Sequence, residues 1–203
     1  MPALKPILTG AMALLLAAVP LVGAADPTNP RSARAPGGSG AGDDYFPTYG
    51  NGGYDVAHYV IRVRYGVKSR KLSGKSTVRA RATQQLSRFN LDLSLKTSKV
   101  TVDGVAASFT QGKHELVVTP ATPIADGAEF SVKVFYGGEP GTLPRQGLGG
   151  WFETSDGALA IGEPESAVFW YPSNDHPSDK ATFDIHAQVA TGKQAISNGT
   201  LSG

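Results

Sequence analysis

The residues with the chemistry to act gather in two places. His114-Glu115-Leu116-Val117-Val118 opens like the H-E-x-x-H helix that holds zinc, but position 118 is Val and the segment alternates as a strand does. Two zinc-binding histidines must stand one helical turn apart on one face, so no metal site is read there. His58, His176 and His186 sit on separate segments with no ligand spacing between any two. The second place runs from Gly162 to Phe183 and holds Glu163, Glu165, Asp175 and Asp179, the rings of Phe169, Trp170 and Tyr171, and Pro164, Pro172 and Pro177. A rigid, partly apolar surface with acidic groups is what a pocket for a small cation or a peptide terminus requires. Asp175-His176 with Asp179 also reads as a turn whose Asn and Asp side chains cap local backbone, and on the residues alone the turn is the preferred reading. No G-x-S-x-G elbow, P-loop or dinucleotide fingerprint occurs, so serine hydrolysis and nucleotide chemistry have no support.

The segments that must position these groups have period two. Tyr59, Ile61, Val63 and Tyr65 fall on one side, and His58, Val60, Arg62 and Arg64 on the other, the pattern of a strand with one buried face. The alternation returns over residues 76–83 and 89–95, where Phe89, Leu91, Leu93 and Leu95 share a face. Asp103-Gly104, between Val102 and Val105, is the dipeptide that tight hairpins prefer. Further strands are expected at 115–118, 130–136 and 182–189, with a long Gly- and Pro-rich loop over 137–150 before Trp151-Phe152. No window carries a 3.6-residue period. The fold class is therefore all-β, a sandwich or open curved sheet of antiparallel and mixed strands.

Composition narrows the setting. Lys5, the apolar run Ile7 to Val22 and the small residues Gly23-Ala24-Ala25 predict a secretory signal over 1–25. The apolar run is shorter than the roughly 20 residues of a membrane span, so release from the membrane and an extracytoplasmic location are expected. Residues 26–44 are rich in Pro, Gly, Ser and Ala and are read as a disordered linker, leaving one domain over 45–203. The chain has no Cys, which removes disulfides, thiolate metal sites and thiol nucleophiles. A formal charge of +2 does not suggest a polyanion partner. The basic residues between Arg62 and Arg81 alternate with apolar ones, as a wet strand face does, and lack the interleaved aromatics of a nucleic-acid surface.

Pro172-Ser173-Asn174-Asp175-His176-Pro177-Ser178-Asp179-Lys180-Ala181-Thr182-Phe183 resembles the P-x-x-D-x-P-x-x-K-A-x-F element of the aminopeptidase N family of zinc metallopeptidases, in the form common among secreted actinobacterial members. In that family a T-Q-x-E element precedes it by nine residues, and counting back nine from Pro172 lands on Glu163, although Ala160-Ile161-Gly162 replace T-Q-x. Gly53-Tyr54-Asp55-Val56 with His58-Tyr59 resembles the family's opening strand, Leu72-Ser73-Gly74 a turn, and Phe89-Asn90-Leu91-Asp92-Leu93 a further element. The resemblance covers about Tyr45 to Gly203 and implies the N-terminal β-domain, a saddle-shaped pair of sheets.

That resemblance implies that Glu163 binds the free α-amine of a peptide substrate. An ammonium leaving water needs charge-assisted hydrogen bonds, each worth roughly 1.5–3 kcal/mol. Glu163 could equally close a salt bridge with a neighbouring Lys or Arg. The family's zinc-binding H-E-x-x-H, its G-A-M-E-N strand and its transition-state Tyr lie in a catalytic domain that follows this one. No catalytic or metal-binding residue is therefore assigned within the chain, which is expected to be a truncated product or fragment, inactive alone, whose partner is the missing catalytic domain. The rival reading is a free-standing exported β-sandwich that binds glycan or protein on a platform of Trp151, Trp170 and Tyr171.

Overall fold

The computed structural model describes residues 35–144, 149–163 and 165–202. The expected signal over 1–25 and the first part of the expected linker lie outside the described residues. Along the described chain the strands are β1 Ala35–Pro36, β2 Tyr54–Gly66, β3 Lys71–Ala82, β4 Leu86–Asp92, β5 Lys96–Val102, β6 Val105–Ala106, β7 Ser108–Gln111, β8 Glu115–Thr119, β9 Glu129–Gly138, β10 Gly150–Glu153, β11 Ala158–Ile161 and β12 Thr182–Gln188. Among the described residues there is no α-helix, only 3-10 turns at Pro140–Thr142 and Ala167–Phe169. The all-β expectation holds.

Six strands form one sheet in the order β12-β2-β3-β9-β5-β6, four form a second in the order β1-β4-β8-β7, and β10 pairs with β11. Pairing is antiparallel except for β12 beside β2 and β1 beside β4, so the sheets are mixed. Both large sheets face one core. Phe89 of β4 meets Phe130 of β9 at 5.3 Å and Tyr54 of β2 at 5.9 Å between ring centroids. The Tyr54 contact is edge-to-face and the Phe130 contact tilted, and such ring pairs add to the stabilisation from the area they bury.

Alternation explains the core. On β3, Leu72, Ser76, Val78, Ala80 and Ala82 point inward, and on β9, Phe130, Val132, Val134 and Tyr136 do. On β2 an irregularity between Val56 and His58 adds a residue, so Tyr54 and Val56 reach the core before it and Tyr59 and Ile61 after it. One extra residue keeps both apolar sets on the same side. Gly74 faces Tyr136 so closely that a Cβ there would lie 2.2 Å from the ring, and the space it leaves lets the Tyr136 hydroxyl reach Ser76 Oγ at 2.9 Å. Asp103 and Gly104, with φ of 49° and 81°, make the expected hairpin turn between β5 and β6. Positive φ at both positions is what that turn demands.

Several boundaries differ from expectation. Leu72-Ser73-Gly74 is not a turn but the start of β3, because β3 extends to Lys71 to match the full length of β2. Strand β4 ends at Asp92, yet Leu93 and Leu95 remain buried as the chain bends toward β5. Residues 35–44, expected within a linker, are tied to the domain: the Gly37 N–H donates to the Arg88 carbonyl at 2.8 Å and the Ala41 N–H to the Tyr49 carbonyl at 3.0 Å. Gly and Pro gave this segment a linker's composition, but edge pairing asks only for backbone groups. Strand β12 lies on the outer edge of β2, where all seven of its residues are exposed. There the Phe183 ring stacks on Tyr59, with centroids 5.0 Å apart and planes at 10°.

Candidate functional site

Glu163 follows β11, two residues after the register pair that joins Ile161 to Gly150. Its side chain is exposed. Gly149 packs against the far side of this loop, where a methyl group would lie 2.0 Å from Ser166 Oγ and 3.0 Å from the Ile161 carbonyl, so only glycine fits the approach. Glu165 turns inward instead and is 8% exposed. The Ser166 hydroxyl donates to the Glu165 carbonyl. The 3-10 turn at 167–169 then buries Val168 and Phe169.

The segment after that turn is held from several directions. Asp175 Oδ2 accepts the Val168 N–H at 3.1 Å, and the Asp175 N–H donates to Asp92 Oδ2 at 2.8 Å. Asp92 and Ser173 form an isolated antiparallel bridge. The Asn51 N–H donates to Asn174 Oδ1 at 2.5 Å, the Asn51 amide nitrogen to Asp92 Oδ2 at 2.9 Å, and the Asn174 N–H to the Tyr59 hydroxyl at 3.0 Å. Asp179 accepts the Val56 N–H at 3.1 Å and a bond from the Asn174 side chain. The turn expected around Asp175-His176-Asp179 is therefore present, with the Asp179 N–H bonded to the His176 carbonyl at 3.0 Å. Its side chains reach far beyond local backbone. His176 faces Asp43 of the N-terminal segment, Nε2 to Oδ2 3.4 Å.

Behind Asp175 lies a cavity of about 330 Å³ lined by Tyr49, Asp92, Lys113, His114, Glu115 and Asp175 among others. Burial pushes Asp92 up to about 8; the Asp175 N–H opposes this, and the charges of Glu115 and Asp175 add to it. Burial raises Glu115 to about 7 against a hydrogen bond from the Asn90 side chain. Burial raises Asp175 to about 6, with the Val168 N–H opposing and the Glu165 charge adding. Asp179 is likewise raised to about 6 by burial, against its bonds from Val56 and Asn174. Tyr49 is held above its ordinary range by burial and then by the carboxylate of Glu165. Carboxylates close together in an apolar setting cannot all ionise cheaply.

These side chains do not fit zinc ligation. Among the described residues no group of three or more His, Cys, Asp or Glu is placed to hold a metal ion. His114 instead bonds Ser94 Oγ at 2.6 Å at the entry to β8, and burial and Lys113 hold its ring low. His58 spans Thr182 at 2.7 Å and Asp184 at 3.3 Å. Of the three rings of the rival reading's aromatic platform, Trp170 is half-buried and the other two are buried. Trp151 and Tyr171 are each 9% exposed, packed edge-on against Tyr65 and Tyr59 at 5.0 and 5.7 Å. The residues left out of the sequence reading are Asn51 and Tyr49, while Glu115 enters it only as part of a zinc motif, and the sign that could have drawn attention is Asn90 and Asp92, two polar residues alternating with Phe89 and Leu91 in a short strand.

Residues 55–202 match the model of the Peptidase M1 N-terminal domain family. The crystal structure of an M1 zinc metallopeptidase from Deinococcus radiodurans is similar, at 29% identity and a TM-score of 0.73 over 81% of this chain and 39% of that one. A substituted form of the Deinococcus radiodurans enzyme, bound to a Tyr-Ser-Ala substrate, is 30% identical with a TM-score of 0.72 over the same shares, 81% and 39%. Native yeast LTA4 hydrolase shares the fold, at 19% identity and a TM-score of 0.52 over 67% of this chain and 23% of that one. The chain thus spans well under half the length of the solved relatives it matches. A search of the curated proteins finds no match.

Proposed function

Because the chain belongs to the M1 peptidase family through its N-terminal domain, we propose that it serves a zinc-dependent aminopeptidase by helping to recognise the free α-amine of a peptide substrate. The observation that carries this reading is the contrast between two neighbouring carboxylates: Glu165 is buried near Asp175, whereas Glu163, two residues earlier and just past the β10–β11 hairpin, is exposed. An exposed carboxylate is available to an incoming ammonium, and the Deinococcus relative is one that binds a Tyr-Ser-Ala substrate. This role needs position and negative charge. It needs no bond-making by the domain itself, and the 203 residues hold no H-E-x-x-H to do any. Zinc belongs to the catalytic part of the family, and hydrolysis by these residues alone is not expected. The apolar run at 7–22 with its small-residue end supports export of the chain to an extracytoplasmic compartment.

The test is made on the longest natural product that carries these residues. It should hydrolyse an aminoacyl 4-nitroanilide in a chelator-sensitive way and leave the N-acetylated analogue intact. Glu163→Gln should lower kcat/KM about 10- to 100-fold, the scale of one charge-assisted hydrogen bond. Full activity in that variant would remove Glu163 from the reading. Chelator-sensitive hydrolysis by the purified 203-residue chain would remove the claim that it is inactive alone.

A further inference from the structure

On the outer face of the large sheet the strands place their side chains in rows. Across one row stand His186 of β12, Arg62 of β2, Lys75 of β3, Phe135 of β9 and Lys99 of β5. The row on one side of it carries Arg64 and Lys96, and the row on the other side carries Lys133. All of these Lys and Arg side chains are exposed, because their strand neighbours Ile61, Ser76, Val100 and Val134 are the ones turned into the core.

Nothing among the described residues neutralises this face. Arg62, Arg64, Lys75, Lys96 and Lys133 have no ion-pair partner there, and Lys99 lies over the Phe135 ring, 5.8 Å from its centroid. Asp184, at the β12 margin, is engaged by His58 at 3.3 Å. Farther along β3 the same face is built differently, with Arg81 standing between Asp55 of β2 and Glu129 of β9. Arg62 and Lys75 are instead like charges directly opposite each other, an arrangement that destabilises a sheet. The whole-chain balance of +2 conceals this segregation, since carboxylates such as Asp92 and Glu165 are buried elsewhere.

We propose that this face is a docking surface for anionic lipid headgroups, which hold the domain peripherally, without a span, against a negatively charged bilayer. Its dimensions choose the occupant. From Arg62 to Lys99 is three strand spacings, and from the Lys133 row to the Lys96 row is four residues, so the cations cover roughly 14 Å in each direction. A single anionic chain touches such an array along one line, whereas a layer of headgroups meets all of it. Phe135 is the one Phe, Tyr or Trp in these rows, so the stacking platform that single-stranded nucleic acid uses is lacking. Each Lys or Arg brought to an anionic surface adds its own increment of attraction.

The test is co-sedimentation of the 203-residue chain with vesicles of phosphatidylglycerol and phosphatidylcholine in equal parts, against vesicles of phosphatidylcholine alone. Binding to the anionic vesicles should be tighter by about tenfold or more. It should fall about tenfold when salt rises from about 0.1 to about 1 M. Lys75→Gln combined with Lys133→Gln should weaken it about 25-fold, near fivefold for each cation removed. Arg88→Gln, the same change of charge at an exposed position of β4 in the other sheet, should weaken it by less than about twofold. Equal binding to the neutral vesicles overturns the proposal, because the apolar run at 7–22 would then be the attachment. So does a fivefold loss in Arg88→Gln, which would make net charge alone sufficient. Capture of soluble polyphosphate without binding of either vesicle overturns it in favour of an anionic chain. The altered side chains are exposed, so urea midpoints should match wild type. Should the double variant lose its midpoint, Arg62→Gln combined with Lys99→Gln carries the same prediction, and the salt and neutral-vesicle comparisons judge the wild type alone.

Discussion

The two faces of β4 are built from adjacent residues and solve opposite problems. Phe89 and Leu91 are fully buried in the core between the sheets, while Asn90 and Asp92, 7% and 4% exposed, lie in a polar seam closed by residues 173–175 and Asn51. On the apolar face every contact helps and none depends on protonation. On the polar face each buried atom needs a partner, and the partners are themselves titratable. The core sets how stable the domain is; the seam sets under which conditions.

The largest effect should come from breaking the core. Phe89→Ala should cost about 3–5 kcal/mol of unfolding free energy in urea, with the same loss at pH 5 and pH 8. A loss that varies with pH would mean that the two faces are not independent.

The seam should supply the pH dependence that the core lacks. Asp92 is raised to about 8, Glu115 to about 7, and Asp175 and Asp179 to about 6, all above the range of an unfolded carboxyl. The folded chain therefore binds more protons across this interval. Stability from these groups is fully present below about pH 4 and is lost as pH rises through about 6, 7 and 8. His114, held low by burial, works the other way, losing its contribution as pH falls below its ordinary range. Asp92→Asn keeps an acceptor for Asn51 and Asp175 but cannot ionise. It should gain on the order of 2 kcal/mol over wild type at pH 8.5 and nothing at pH 4, as read from thermal or urea unfolding. An equal effect at both values would place the dependence elsewhere.

A smaller change sharpens the contrast by putting polarity inside the core. Tyr136→Phe removes the bond to Ser76 and should cost about 1 kcal/mol. Because burial holds Tyr136 far above its ordinary range, that cost should be flat from pH 5 to pH 9. A slope would show that buried polarity by itself, and not the carboxylates, confers pH sensitivity.

The strands were readable because alternation is a local property. Residues 59–65, 76–82 and 130–136 carry their burial in their own order, and Asp103-Gly104 names its turn. The seam was not readable because its bonds join residues 41, 83 and 123 positions apart. Nothing in Asn51 announces Asn174. Glu163 was assigned by counting from a motif, and the count gives a position but not its surroundings. Segment 35–44 escaped because its composition describes a chain without a core, while its backbone borrows the edge of β4.

Strand β12 completes the large sheet by pairing Thr182 with His58, 124 residues earlier. Joining such distant segments in parallel carries a loop-closure cost that neighbouring hairpins avoid. During synthesis from the N-terminus, β2 and β3 have both emerged long before residue 182 exists, and the outer edge of β2 waits throughout with its N–H and C=O groups unpaired. The nascent chain therefore passes through an interval in which an otherwise finished sheet offers an open template to any other strand.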